Sequence, residues 1–229
     1  MAIVSTQGWA RRMRGFLGHK SRSKRGRDLG DEPELPEPRL ESGISIEAAL
    51  RSRRSIREFR PEPLTRTEIS QMLWAAQGTT NATGYRTAPS AGALYPLEIY
   101  LLAGEVEALG AGIYRYDAAR NKLHPIVEGD RRKEMSAAAF GQSWIAQAPA
   151  ILVIAANYRR TAQKYGARAE RYVHIEAGHA AQNVYLEAVP LGLGTADIGA
   201  FDDERVKKVA CLPASEEPVL LLPVGRCLR

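Results

Sequence analysis

The chain has 229 residues, 45% of them apolar, which suits one ordinary domain with appendages and a sizeable core. Its net charge is +6, yet residues 1–27 hold eight basic residues and no acid, leaving 24 basic against 26 acidic residues beyond them. A body so balanced argues against nucleic-acid binding, and the lack of any run of about 18 apolar residues argues against a transmembrane helix.

Residues 1–42 read as a basic, proline- and charge-rich tail, expected to be flexible, because "HKSRSKRGRDLGDEPELPEP" has no apolar periodicity with which to bury surface. The twin arginine of "WARRMRGFLG" suggests an export signal, but no apolar segment of roughly 7–15 residues follows it. Residues 43–229 form the expected domain. Cys211 and Cys227 lack metal-ligand spacing and are expected as reduced thiols of a cytoplasmic protein.

Ser45 can cap a short helix, "IEAALRSR", with Ile46, Ala49 and Leu50 on one face. In "LTRTEI", Thr65 and Glu68 have capping-box spacing, and Leu64 and Ile69 occupy the hydrophobic-staple positions. The helix they start should run through "SQMLWAAQ" and stop at Gly78. Strands are expected at "EIYLLA", "GIYRY" and "KLHPIV". A helix at "RRKEMSAAAF", a buried strand at "AILVIAA", a long helix at "ARAERYVHIEAGHAAQNVYLEAV" and a last strand at "PVLLLPVG" follow. Together they predict an α+β domain without repeats. In the long helix, Val173, Ala177, Ala180, Ala181, Val184 and Ala188 form a stripe of small side chains, which is either a core face or a dimer seam.

His174, Glu176 and His179 in "HIEAGH" do not make a zinc site, because histidines five apart on a helix diverge by about 140°. Packed or hydrogen-bonded histidines are expected instead. Ser55, Ser90 and Ser143 have no nucleophile-elbow context, and the chain has neither a Rossmann nor a Walker fingerprint.

Three segments are left. "RRSIREF" places Arg53, Ser55 and Arg57 where they can converge on one phosphate, while Ile56 and Phe59 anchor the strand; Arg51 and Arg60 read as solvated neighbours. A solvated charged stretch fits the same local pattern. "APSAGALYPLE" has Ser90, Ala91 and Gly92 without bulk in a tight loop, so a flat ligand can approach the backbone, although a structural turn explains it equally. "LGLGTADIGAFDDERV" punctuates a short strand with Gly192, Gly194 and Gly199, and Asp202 or Asp203 can cap the next helix.

In order and spacing these segments, with the closing "EPVLLLPVG", resemble the flavin-dependent nitroreductase family over residues 43–229, most closely its SagB-type dehydrogenase branch. The resemblance implies a central mixed or antiparallel sheet flanked by helices, built as an intertwined homodimer with FMN at the subunit interface. It implies that Arg53, Arg54, Ser55 and Arg57, with Arg226 from the C-terminus, hold the phosphate. Ser90, Ala91 and Gly92 would line the ring, Gly199 and Ala200 would face its reactive edge, and Gln142 would reach in from the neighbouring chain. The implied activity is hydride transfer at the flavin to or from a small organic or peptide substrate, with NAD(P)H as a possible donor. One alternative is an azoline dehydrogenase acting on a modified peptide, with Lys164, Tyr165 and Tyr172 as candidate bases and no catalytic residue fixed. A second is a non-catalytic flavin-binding protein.

Overall fold

The structure is a computed structural model that describes residues 32–228; the basic segment 1–27 lies outside the described residues. Its helices are α1 (Ile46–Ser52), α2 (Arg66–Gln77), α3 (Arg132–Ala138), α4 (Ser143–Gln147), α5 (Tyr158–Tyr165), α6 (Ala169–Ala188) and α7 (Asp203–Val209). Its strands are β1 (Leu97–Ala103), β2 (Gly112–Asp117), β3 (Lys122–Glu128), β4 (Ala150–Ala156), β5 (Leu193–Thr195) and β6 (Glu217–Arg226).

The strands form one six-stranded antiparallel sheet in the order β3-β2-β1-β4-β6-β5. Period-two alternation sorts its side chains into two layers. Leu97, Ile99, Leu101, Leu152, Ile154, Leu222 and Val224 pack with α2 and α6. Tyr100, Leu102, Ile151, Val153 and Leu221 pack with α3, α4 and α7. Strand β4, covered on both faces, is buried at every residue, which is why "AILVIAA" is apolar without alternation.

The capping box forms as expected: Thr65 Oγ1 accepts from the Glu68 amide and Glu68 Oε2 accepts from the Thr65 amide, while Leu64 and Ile69 are fully buried. Gly78 ends α2 with extended rather than left-handed dihedrals; a Cβ there would lie 2.1 Å from the Trp74 ring, so close packing calls for the glycine. The small-residue stripe of α6 is a core face, because all six residues are buried in the layer shared with α2. Helix α1 differs from expectation: only Ala49 is buried, and Ile46 and Leu50 remain 60% and 52% exposed. Residues 33–39, assigned to the tail by composition, lie against the body. Leu35 is buried, Ser70 donates to the Pro36 carbonyl at 2.5 Å, and the Arg39 amide donates to Gln71 at 2.8 Å.

Beyond α1, the chain from Ser55 to Arg60 lies along the β5–β6 edge. The Ile56 amide donates to the Thr195 carbonyl at 2.9 Å, and the Arg60 amide donates to the Arg226 carbonyl at 3.0 Å. Two glycines make room for this: a Cβ on Gly194 would lie 2.7 Å from Ile56 Cβ, and one on Gly225 would lie 2.7 Å from the Phe59 ring. The apolar residues of "RRSIREF" therefore seat the segment, and its arginines face outward.

Candidate active site

Tyr185 of α6 organises the first group. Its ring is buried beneath the Arg53 guanidinium, 5.4 Å from the ring centroid. Its hydroxyl lies 3.2 Å from Ser55 Oγ, donates to Asp197 Oδ1 at 2.6 Å and accepts from the Asp197 amide at 2.9 Å. Burial, then the bond to Asp197, pushes the Tyr185 hydroxyl above its ordinary pKa, so it stays a neutral donor. One tyrosine thus gathers Arg53, Ser55 and the start of the 197–200 segment.

Arg57 goes elsewhere. Its guanidinium stands over Trp144 of α4 at 5.8 Å. Gln142, the N-cap of α4, donates to the carbonyls of Ala139 at 3.0 Å and Ala200 at 3.4 Å in its own chain. Arg54 is exposed and donates to the Arg51 and Arg53 carbonyls. Among the described residues, none of Arg53, Arg54 and Arg57 forms an ion pair with a carboxylate.

Arg226 contrasts with them. It pairs with Glu68 at 2.9 Å and with Glu62 at 3.3 Å, so two carboxylates of its own chain already satisfy it.

The loop before β1 forms the third group. Ser90 Oγ accepts from the Tyr95 amide at 2.9 Å, and Gly92 has φ +64. A Cβ on Gly92 would meet Lys164 Nζ and Tyr165 Oη, each at 2.9 Å, so the end of α5 closes over this glycine. Tyr165 also packs on Tyr172, ring centroids 4.8 Å apart. Beneath the loop, the Glu176 carboxyl of α6 lies against Ser90 and Gln77, and burial raises its pKa to about 7.

One chain does not bring all these groups to one place. Glu176 and Tyr185 are nine residues apart on α6, which puts them on opposite sides of the helix and about 13 Å apart along it. Ser90 goes with the first and Ser55 with the second.

Gly199 differs from its neighbours. Gly192 has φ +67 and Gly194 is hemmed in by Ile56, but Gly199 has no positive φ, and a Cβ placed on it would meet no atom within 4 Å. Its exposed backbone borders a cleft of about 760 Å³, also lined by His174, Asp197, Phe201 and Leu220. His174 Nε2 is 2.9 Å from Tyr158 Oη there; His174 and His179 are both exposed rather than packed in the core. Burial and the carboxylates of Glu170, Glu217 and Asp203 push the Tyr158 hydroxyl up to about 12. Asp202, not Asp203, caps α7. No group of three or more His, Cys, Asp or Glu among the described residues is placed to hold a metal.

Sequence reasoning missed Tyr185, Asp197 and Trp144. Tyr185 lies four residues after Ala181 and three before Ala188, beside the small-residue stripe of α6, and Asp197 sits between Ala196 and Ile198. Those are the only local signals either residue carries.

The fold defines an α+β protein of the nitroreductase-like class, in which one antiparallel sheet carries basic and glycine-rich segments at its edge. The sequence profile of the Nitroreductase family matches residues 50–226, and the chain belongs to that family. A nitroreductase-family protein of Methanocaldococcus jannaschii is 47% identical over 198 residues, covering 86% of this chain and 98% of that one. A crystal structure of a Ralstonia eutropha protein described as a nitroreductase is 32% identical with a TM-score of 0.75, covering 85% of this chain and 89% of that one. Two more distant structures share the fold. The Escherichia coli microcin synthetase McbBCD complex with truncated pro-MccB17 bound aligns at TM-score 0.68 and 23% identity, covering 100% of this chain and 85% of that one. The Vibrio harveyi NADPH:FMN oxidoreductase complexed with NAD+ aligns at 0.58 and 20%, covering 80% and 69%.

Proposed function

We propose that the protein is an FMN-dependent oxidoreductase that transfers hydride at flavin N5 to or from a small organic or peptide substrate. The observation that carries this reading is the trio Arg53, Arg54 and Arg57, held at a sheet edge with no carboxylate partner among the described residues. A phosphate supplies the missing charge, and Ser55, oriented by Tyr185, adds a neutral hydrogen bond. The open backbone at Gly199 fits a planar ring, since among the described residues no atom lies within 4 Å of where its Cβ would be. Because Arg226 is satisfied by Glu62 and Glu68, it contributes to the phosphate site only if those pairs rearrange.

The flavin, when bound, supplies the hydride chemistry. The chain's residues would do the rest. Arg53 and Ser55 hold the phosphate end, Ser90, Ala91 and Gly92 line the ring, and the Gly199 and Ala200 peptides face its reactive edge. The separation of Ser55 from Ser90 across α6 favours a homodimer in which a second copy completes each site. Exposed apolar residues on α1 (Ile46, Leu50), on α6 (Ile175) and at Phe140 offer surface for it. The named activity of the Vibrio harveyi neighbour supports FMN with NAD(P)H as donor.

A second reading, azoline oxidation on a modified peptide, is favoured by one observation. Lys164 and Tyr165 lie against Gly92 and could take a proton beside the ring. The microcin synthetase neighbour points the same way. Anaerobic addition of NADH or NADPH to the FMN-loaded protein tests the choice. Bleaching supports a free-standing reductase, and an unchanged flavin spectrum with both donors turns the reading toward the peptide substrate.

A further inference from the structure

A cavity of about 330 Å³ lies among the end of α2, the loop before β1, strands β1 to β3 and the start of α5. It shares no lining residue with the cleft at Gly199. Its charged lining is Arg86, Arg115 and Arg160 against Glu98 and Asp117, with His124 beside them. Both carboxylates are already taken. Glu98 is bound by Arg160 and by Arg115, the latter at 2.8 Å. Asp117 accepts from the Ala119 and Arg120 amides at 3.0 and 3.2 Å, and His124 Nε2 lies 3.4 Å from it.

Arg86 is the cation left over. It donates to Gln77 Oε1 at 3.0 Å and stands over the Tyr95 ring at 4.9 Å, yet forms no ion pair among the described residues. Burial holds its pKa below the ordinary arginine value, while Glu98 and Glu176 act on it only through space. A guanidinium has five N–H donors, so one neutral acceptor leaves most of this fork for a carboxylate. The rest of the lining narrows the ligand further. The cavity far exceeds the roughly 15 Å³ that one water needs, so a bare ion would not fill it. Leu97, Ile99 and Tyr116, all buried, add apolar lining. Arg160 also donates to the Tyr95 carbonyl at 2.7 Å, so two of the three arginines tie the cavity to the turn that precedes β1.

We propose that this cavity is a second ligand site, which takes a small organic carboxylate with its anionic end on Arg86 and its apolar body against Leu97, Ile99 and Tyr116. Few polar anchors over an apolar lining are what such a ligand needs. The site is separate from Arg53, Arg54 and Arg57 and stands independently of the flavin reading.

The test is a ligand-observed NMR titration of the full-length protein with benzoate, its uncharged counterpart benzamide, and inorganic phosphate. Benzoate should bind with a dissociation constant of about 1 mM or tighter, at least about tenfold below that of either control. Arg86→Met, which keeps the bulk and removes the charge, should weaken benzoate by about tenfold or more. Arg53→Ala/Ser55→Ala should bind benzoate as the wild type does. Absence of benzoate binding, or equal binding of benzamide or phosphate, would overturn the proposal. So would full benzoate affinity in Arg86→Met. Loss of benzoate in Arg53→Ala/Ser55→Ala would move the anion to the other arginines and overturn it too. Should Arg86→Met not fold, the comparison of benzoate with benzamide on the wild type still decides.

Discussion

Two sets of arginines in this molecule have opposite surroundings. Arg132, buried at the start of α3, is bound by Asp130, Glu105 and the Ala148 carbonyl, and Arg226 by Glu62 and Glu68. Among the described residues, Arg53, Arg54 and Arg57 have aromatic rings and backbone carbonyls as partners and no carboxylate. The first set is completed by its own chain and serves the fold. The second has donors to spare, and an arginine held in place with unused donors suits an anionic ligand.

Mutation can break this comparison. The largest effect is expected from the double variant Arg53→Ala/Ser55→Ala. Losing a charge-assisted and a neutral hydrogen bond to phosphate should raise the FMN dissociation constant by roughly a hundredfold, with the melting temperature of the FMN-free protein unchanged. Arg132→Ala should do the reverse. It strands the Ala148 carbonyl and two carboxylates, both partly solvated, and should lower unfolding stability by about 2 kcal/mol in denaturant titration while flavin affinity holds.

A third effect sharpens the contrast through pH. Burial raises the Glu176 carboxyl from 4.5 to about 7, so the native chain keeps a proton that the unfolded chain releases. Stability from this group is full below about pH 4.5 and is lost as pH rises through about 7. Glu176→Gln should therefore gain roughly 1–3 kcal/mol on the wild type between pH 5 and pH 8. The smallest effect belongs to Arg54→Ala. An exposed arginine bonded only to nearby carbonyls should change stability by less than about 0.5 kcal/mol.

Most of the architecture was legible because local rules and packing agree. The Thr65–Glu68 box and the apolar runs of β1 and β4 each identify their element without tertiary information. Helices α4 and α5 escaped notice because neither has a side-chain cap, and "YRRTAQKY" buries only Thr161. In the site, the basic segment and the glycines could be read, but their partners could not. Ser55 meets Tyr185 across 130 residues, and the β5–β6 register decides that meeting. Arg226 shows the same limit from the other side: its terminal position suggests a phosphate partner, while Glu68, 158 residues away, occupies it. The glycines likewise look alike in sequence, yet a Cβ on Gly194 would collide with Ile56 while one on Gly199 would meet none of the described residues.

The central claim, that the arginines without a carboxylate partner among the described residues mark a flavin phosphate site, is tested most directly by titrating the purified wild-type protein with FMN and with riboflavin, which lacks the phosphate. FMN should bind at about 1 μM or tighter, and riboflavin should bind more weakly by at least about tenfold. Equal affinities for the two, or no binding of FMN, would contradict it.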